Sequence, residues 1–228
     1  MNYVVAAIGD WNKDLFKKNS KKNSCNWYFT SDPKSFNATI ESIDNIKYIF
    51  FIHWRWKIPS TIFEKYDCIG FHMTDLPFGR GGSPLQNLIV RGFEETVISA
   101  FKIISEMDGG PIYFKEKLSI KGKAKDIYLR ASKITWKMIG KIVLANNTPV
   151  EQQGKVVEFV RRTPIQSKLP DKKSLKSLYD HIRMLDAPGY PHAYCDIDGI
   201  RLIFQNAKLK NGILTASVMF NLDGKQDD

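Results

Sequence analysis

The stretch GFHMTDLPFGRGGSPLQNLIVRGFEETVISAFKIISEMDGGPIY, residues 70–113, decides how the chain is read. In order it carries a histidine at the end of an apolar strand, a glycine-rich loop, a second apolar strand, and an aspartate beside two glycines. Open α/β sheets put chemistry-bearing side chains on loops at the carboxyl ends of their strands, and this order follows that habit. An enzyme is expected.

Upstream, short apolar runs alternate with amphipathic stretches. Tyr3 to Ile8, Trp27 to Thr30, Tyr48 to Ile52 and Cys68 to Phe71 read as buried strands, with helices near Asp10 to Lys18, Pro33 to Ser42 and Ser60 to Tyr66. The alternation predicts a doubly wound, mostly parallel sheet of Rossmann-like type. Thr96 to Ile104 and Pro111 to Leu118 add two strands, and Gly109-Gly110 between them puts Asp108 on a loop. Ile127, Ala131, Ile134, Met138 and Ile142 recur at helical spacing, so a long helix over 125–144 closes the domain, ended by Asn146, Asn147 and Pro149. Past residue 148 the character changes. A turn-rich linker with one strand leads to a helix at Ser174 to Leu185, then to strands at Ala193 to Asp196, Arg201 to Phe204 and Ile213 to Phe220. The expected organisation is an α/β domain over 1–148 and a small β-rich C-terminal subdomain over 149–228, with a short polar tail at Gly224–Asp228.

Composition narrows the function. With 228 residues, 43% apolar and 12% aromatic, the chain can bury one substantial core and a smaller second one. No apolar run is long enough to span a membrane, and MNYVVAAIGDW has no basic leader before its short apolar segment, so a cytoplasmic protein is expected. Cys25, Cys68 and Cys195 lack paired spacing, which suits neither a zinc site nor a disulfide framework; no metal is expected. The net charge of +10 would draw polyanions if gathered on one face, but it is scattered. Its densest cluster, Lys17, Lys18, Lys21 and Lys22, reads as a solvated loop, and no RNA- or DNA-binding motif accompanies it. Nucleic acid is therefore not an expected partner, whereas a phosphorylated small molecule would feel the same field.

His72 ends an apolar strand. The glycine loop Gly79 to Ser83 lies behind it, and Asp108 on another loop can pair with it. An imidazole held by a carboxylate can stabilise a developing oxyanion or move a proton. The GRGGS loop lacks the Lys-Ser/Thr ending of a nucleotide-binding P-loop, and the first strand is followed by the single Gly9 rather than a dinucleotide fingerprint.

Together these residues resemble the folate-dependent formyltransferases. The match runs from Phe50 to Tyr113: FFIHWRWKIP, then Gly70-Phe71-His72 with Leu76-Pro77, then Arg80-Gly81-Gly82-Ser83-Pro84-Leu85-Gln86, then Glu95-Thr96, and finally Asp108-Gly109-Gly110. The resemblance implies a Rossmann-like formyltransferase domain using 10-formyltetrahydrofolate, with tetrahydrofolate as product. It makes His72 the catalytic histidine and Asp108 its partner. Trp56, Lys57 and Ile58 would meet the pterin, with Arg80, Gly81 and Gly109 in the same donor-binding layout. An acceptor amine would attack the formyl carbon. One departure stands out: Gly70 occupies the place of the family's asparagine, which removes an oxyanion donor. His53, Thr74 and Asn87 are the polar candidates to replace it. Val97 and Arg55 stand where the family has glycines, which marks a divergent branch.

The short connection before Tyr48 leaves no room for the basic inserted loop of the tRNA-modifying members, and the carboxyl-terminal part is short beside their barrel. The segment with Arg183, Pro188 and Tyr190-Pro191 is similar to sugar N-formyltransferase tails. These features imply a nucleotide-linked amino sugar as acceptor; HMTDLPFGRGGSPLQNL, residues 72–88, resembles formyltransferases of pseudaminic acid biosynthesis, which implies a UDP-4-amino-4,6-dideoxy sugar, and the likeness to sugar formyltransferases implies a homodimer. Arg80 and Tyr113 are the candidate acceptor contacts. The alternatives are a methionyl-tRNA formyltransferase-like enzyme and a formyltetrahydrofolate hydrolase.

Overall fold

The computed structural model describes residues 1–22, 25–145, 147–171 and 174–222. Asn146 and the Gly224–Asp228 tail lie outside the described residues. The chain forms two compact units, each gathered from separate stretches: residues 1–81, 96–118 and 129–158 in the first, and 82–95, 119–128 and the chain from 159 onward in the second.

The first unit is built on a six-stranded sheet. In chain order the elements up to residue 159, all in this unit except α4 and the start of α5, are β1 (Asn2–Ala7), α1 (Asp10–Asn19), β2 (Asn26–Thr30), α2 (Pro33–Glu41), β3 (Ile46–Ile52), α3 (Ser60–Phe63), β4 (Cys68–His72), β5 (Phe78–Gly81), α4 (Pro84–Val90), β6 (Glu95–Lys102), β7 (Ile112–Ser119), α5 (Ala124–Ala145) and β8 (Val157–Phe159). The sheet order is β2-β1-β3-β4-β6-β7. β1 pairs in parallel with β2 and β3, and β3 with β4. Strands covered on both faces need continuous rather than alternating apolar sequence, and Val4–Ala7 and Ile49–Ile52 are buried without a break. The mostly parallel sheet is as expected, but β6 runs antiparallel to β4, with Gly70 opposite Phe101 and His72 opposite Ser99.

Helices follow local chemistry. At α2, Asp32 accepts a bond from the Ser35 amide at 2.9 Å and Pro33 holds the first position. Phe36 and Ile40, one turn apart, face inward. Within this unit α5 contributes Trp136, whose ring lies 6.2 Å from Phe16 and 6.0 Å from Trp27. Of the positions that predicted this helix, Ile127, Ala131, Met138 and Ile142 are buried, while Ile134 is half-buried. Lys17 and Lys18 end the helix expected near Asp10 to Lys18 rather than lying in the loop their charge cluster suggested; cations in that last turn of α1 suit the helix dipole, and a 3-10 turn at Ser20–Lys22 follows. The Gly79 to Ser83 loop is also more ordered than its glycines suggest: β5 occupies its start, beside β8 in a two-stranded sheet, and α4 begins at Pro84.

The second unit holds α4, α6 (Leu175–Arg183) and the antiparallel strands β9 (Ala193–Ile197), β10 (Ile200–Lys210) and β11 (Ile213–Asn221) in the order β11-β10-β9. Asp198-Gly199 and Asn211-Gly212, all at positive φ, make the two hairpin turns. Buried Arg183 is neutralised by Asp180 at 2.6 Å and donates to the Ile120 and Gly122 carbonyls at 2.8 Å each. Such a buried cation is tolerated because it is paired with a carboxylate and hydrogen-bonded to backbone carbonyls.

At the centre of the first unit's core, Phe50 is wholly buried among Tyr3, Trp27, Tyr48 and Phe71, its ring 5.7–6.4 Å from each of theirs. Phe50→Ala is expected to cost about 3–5 kcal/mol, read as a lower urea midpoint at unchanged slope.

Candidate active site

His72 is the last residue of β4 and is buried. Its Nε2 lies 2.7 Å from the Gly79 carbonyl oxygen. A carbonyl only accepts, so Nε2 carries a proton and donates it there. Nδ1 then faces Asp108 Oδ2 at 3.6 Å, an ion-pair separation somewhat longer than a hydrogen bond. Catalytic contacts are often long in the free enzyme and tighten when substrate binds.

Asp108 is held by two hydrogen-bond donors. Its Oδ2 accepts the Gly81 amide at 2.9 Å, and Gly81 offers that N–H from φ +99, a conformation that excludes side chains. The Asp108 backbone itself sits at φ +50, an uncommon conformation that must be maintained by its surroundings. The Gln152 side-chain amide donates to the Asp108 and Gly110 carbonyls at 2.7 and 2.8 Å. Gln152 Oε1 in turn accepts from Arg80 Nε at 3.1 Å and from a terminal guanidinium nitrogen at 2.8 Å, and buried Arg80 also pairs with Glu106. The glycines make the loop possible: a Cβ at Gly110 would lie 1.7 Å from the Lys102 carbonyl oxygen, and one at Gly109 2.5 Å from Glu106.

Gly70 faces a ring. A Cβ there would lie 2.6 Å from Phe101 Cζ, so the space beside His72 on this face of β4 is filled by an apolar group. His53 follows Ile52, which pairs with Phe71, and is therefore level with His72 on the neighbouring strand end. It adopts φ +53. The Asn12 amide donates to Ile8 O at 2.7 Å and approaches His53 Nδ1 at 3.4 Å. Burial pushes the His53 imidazole down to about 4, so it is neutral at pH 7.

The structure thus brings together His72, Asp108, Gly79, Gly81, Arg80 and Gly109, with His53 at the adjacent strand end. Trp56, Lys57 and Ile58 lie on the loop leaving β3. There Trp56 meets Trp54 edge-on at 4.7 Å, Arg55 covers the Trp56 ring at 5.0 Å, Lys57 is exposed, and Ile58 packs on the core. Thr74 is fully buried and donates to Gly79 O at 3.3 Å. Asn87 donates to the Gly82, Ser83 and Val160 carbonyls at 3.1 Å each. Tyr113 is pushed up to about 12 by burial and by neighbouring Asp67 and Tyr48. Gln152, Glu106 and Asn12 were not singled out by sequence, since an amide or carboxylate in a polar loop or first helical turn carries no periodic signal.

A family signature described as Methionyl-tRNA formyltransferase, C-terminal domain, matches residues 164–221. The solved structure of a methionyl-tRNA formyltransferase from Clostridium thermocellum is 42% identical, with TM-score 0.91 over 97% of this chain and 99% of that one. The chain belongs to the formyltransferase family. A methionyl-tRNA formyltransferase from Mesoplasma florum is 26% identical over 80% of the chain and 63% of its own length. The chain spans 48–63% of such curated relatives. A 4-N formyltransferase from Francisella tularensis, 15% identical and covered to 95% on both sides with TM-score 0.66, shares the formyltransferase fold.

The formyltransferase family is folate-dependent, and the loops around His72 suit such a donor. Glu106 and the Lys102 carbonyl close against Gly109 and Gly110, and the Trp54–Trp56 pair packs edge-on within the β3 loop. Among the described residues no cluster of three or more His, Cys, Asp and Glu side chains is arranged to hold a metal, and no helix is long and apolar enough to cross a membrane.

Two measurements check this reading of the formyltransferase site. Gln152→Ala releases the Asp108 loop, and kcat is expected to fall on the order of a hundredfold by misplacement alone. His53 binds its proton in the unfolded chain near the ordinary 6.5 but in the fold only near 4. Its contribution to stability is therefore complete above pH 6.5 and lost as pH falls towards 4. His53→Gln should flatten the decline in urea midpoint between pH 7 and pH 5.

Proposed function

We propose that the chain transfers the formyl group of 10-formyltetrahydrofolate to a primary amine, with His72 and Asp108 as the proton-handling pair. The observation that carries this is the arrangement of His72: Nε2–H is committed to Gly79 O, and Nδ1 is turned to the Asp108 carboxylate. The donor supplies a formyl carbon on N10 that is open to attack by an amine. A bond forms from the amine nitrogen to that carbon, the bond to N10 breaks, and one amine proton ends on N10. The His72 imidazole takes up the amine proton and delivers it to N10 as that bond breaks, while the Asp108 carboxylate beside it stabilises the imidazolium in between. The Gly81 amide and Gln152 keep Asp108 in register for this. Arg80, bonded to Gln152 and Glu106, supports the loop.

For the acceptor we favour a nucleotide-linked amino sugar, of the UDP-4-amino-4,6-dideoxy type. Supporting this, β2 joins α2 through Ser31 and Asp32 alone, and α2 joins β3 through residues 42–45, with no inserted loop to grip a macromolecule. The second reading is methionyl-tRNA, favoured by the name of the 42% identical relative. Mass spectrometry of reactions with 10-formyltetrahydrofolate and either UDP- and dTDP-linked amino sugars or initiator methionyl-tRNA separates the two. Formylated sugar is expected; formyl-methionyl-tRNA with unmodified sugars would transfer the assignment, and tetrahydrofolate release without acceptor would indicate a hydrolase. His72→Ala and Asp108→Ala should each lower turnover by about 100- to 10,000-fold with circular dichroism unchanged. Near-normal turnover in either removes the mechanism.

A further inference from the structure

The net charge of +10 looks scattered along the chain, but the fold of the first unit gathers part of it. Helices α1 and α5 carry the same short pattern, Lys13-Asp14-Leu15-Phe16-Lys17 and Lys133-Ile134-Thr135-Trp136-Lys137. The two aromatic rings meet at 6.2 Å, Trp136 buried and Phe16 half-buried, and form a seam along which the helices pack. Residues three before and one after a given side chain lie to the same side of it, about 60° and 100° around the helix. Lys13 and Lys17 are therefore on one shoulder of the seam, Lys133 and Lys137 on the other, and all four are exposed. Gly140, one turn beyond Trp136, leaves the surface there open, since a Cβ would meet nothing within 4 Å.

Among the described residues Lys13, Lys17, Lys133 and Lys137 form no ion pair, whereas Lys141, next in the α5 row, is paired with Glu116. Residues 129–145 contain no carboxylate, and α1 has two, Asp10 and Asp14. Lysines four apart on a helix repel each other, so Lys13–Lys17 and Lys133–Lys137 work against the helices that hold them. Counter-charge must come from outside. A lipid surface suits this face poorly, because an interfacial helix turns an apolar side outward. Of the exposed large apolar residues among those described, Leu144 alone belongs to either helix, at the far end of α5.

We propose that this α1–α5 face docks the phosphate backbone of single-stranded RNA, with Lys13 and Lys17 on one side of the strand and Lys133 and Lys137 on the other. Charge complementarity selects a polyanion, and the seam selects its form. Packed helices have axes about 8–10 Å apart, which leaves a groove that one backbone can follow while a duplex rests on the ridges. The unpaired strands that a cell offers are chiefly RNA. Phe16 and Trp136 are engaged in the seam and offer no ring for base stacking, so the docking reads charge and not base sequence. None of the four lysines belongs to the site around His72, and the docking is independent of the formyl-transfer reading.

The test is binding by the full chain, without donor or acceptor, followed as anisotropy of a fluorescein-labelled oligouridine of about 15 nucleotides from about 50 to 200 mM salt. Four lysine–phosphate contacts give a slope of log K against log salt of about −3, or roughly fiftyfold weaker binding across that range. The double variants Lys13→Gln/Lys17→Gln and Lys133→Gln/Lys137→Gln should each about halve the slope, and Lys133→Arg/Lys137→Arg should keep it. Glutamine and arginine sustain a helix as well as lysine does, so unchanged circular dichroism is expected throughout. Lys208→Gln/Lys210→Gln removes the same charge from exposed positions on β10 and should leave the slope within about 0.5 of wild type. An equal loss in that control means attraction by net charge alone and overturns the proposal. Duplex DNA bound as tightly as the oligouridine overturns it as well, and so does retention on phosphatidylserine vesicles with no binding of RNA.

Discussion

The antiparallel pairing of β6 with β4 is the constraint from which the site follows. It sets Phe101 against Gly70 and Ser99 against His72. The first contact removes any side chain from position 70; the second lets Ser99 bond the Thr74 carbonyl and accept the Leu76 amide, so the turn after His72 is tied to the sheet. A buried hydroxyl serving two backbone groups leaves no unsatisfied polar atom there, which is what allows the strand end to be both buried and sharply turned. β6 then releases the chain into the loop that brings Asp108 back to His72.

That loop is ordered by polar contacts more than by apolar packing. Its backbone takes a conformation that is costly for an aspartate, its glycines are enforced by the Lys102 carbonyl and by Glu106, and the surplus comes from Gln152 and Arg80. Hydrogen bonds to charged groups are worth more than neutral ones, and removal of one partner leaves the others exposed to the full desolvation cost. Arg80, Gln152 and Asp108 therefore behave as one unit, and substitutions among them will be far from additive.

Much of this was legible in the sequence, for identifiable reasons. His72 and Asp108 stood at boundaries that residue pattern marks well, the end of an apolar run and a glycine pair. Long buried runs such as Val4–Ala7 and Ile49–Ile52 announced central strands. The direction of β6 was not legible, since an apolar run reads alike either way. Nor was α4, a short helix whose apolar residues continue a glycine loop without a change of period. Gln152 and Asn12 were invisible because their amides act on carbonyls and on a ring contributed by distant segments, and spacing along the chain carries no trace of that.

Gln152 stands 44 residues beyond the Asp108 carbonyl it holds, with the whole of α5 between them. On the ribosome the histidine, the aspartate and both loop glycines emerge well before the amide that fixes their geometry. All six strands of the sheet have emerged by then, before the amide that fastens the Asp108 loop. In chain order, the polar fastening of the Asp108 loop thus follows the sheet that carries it.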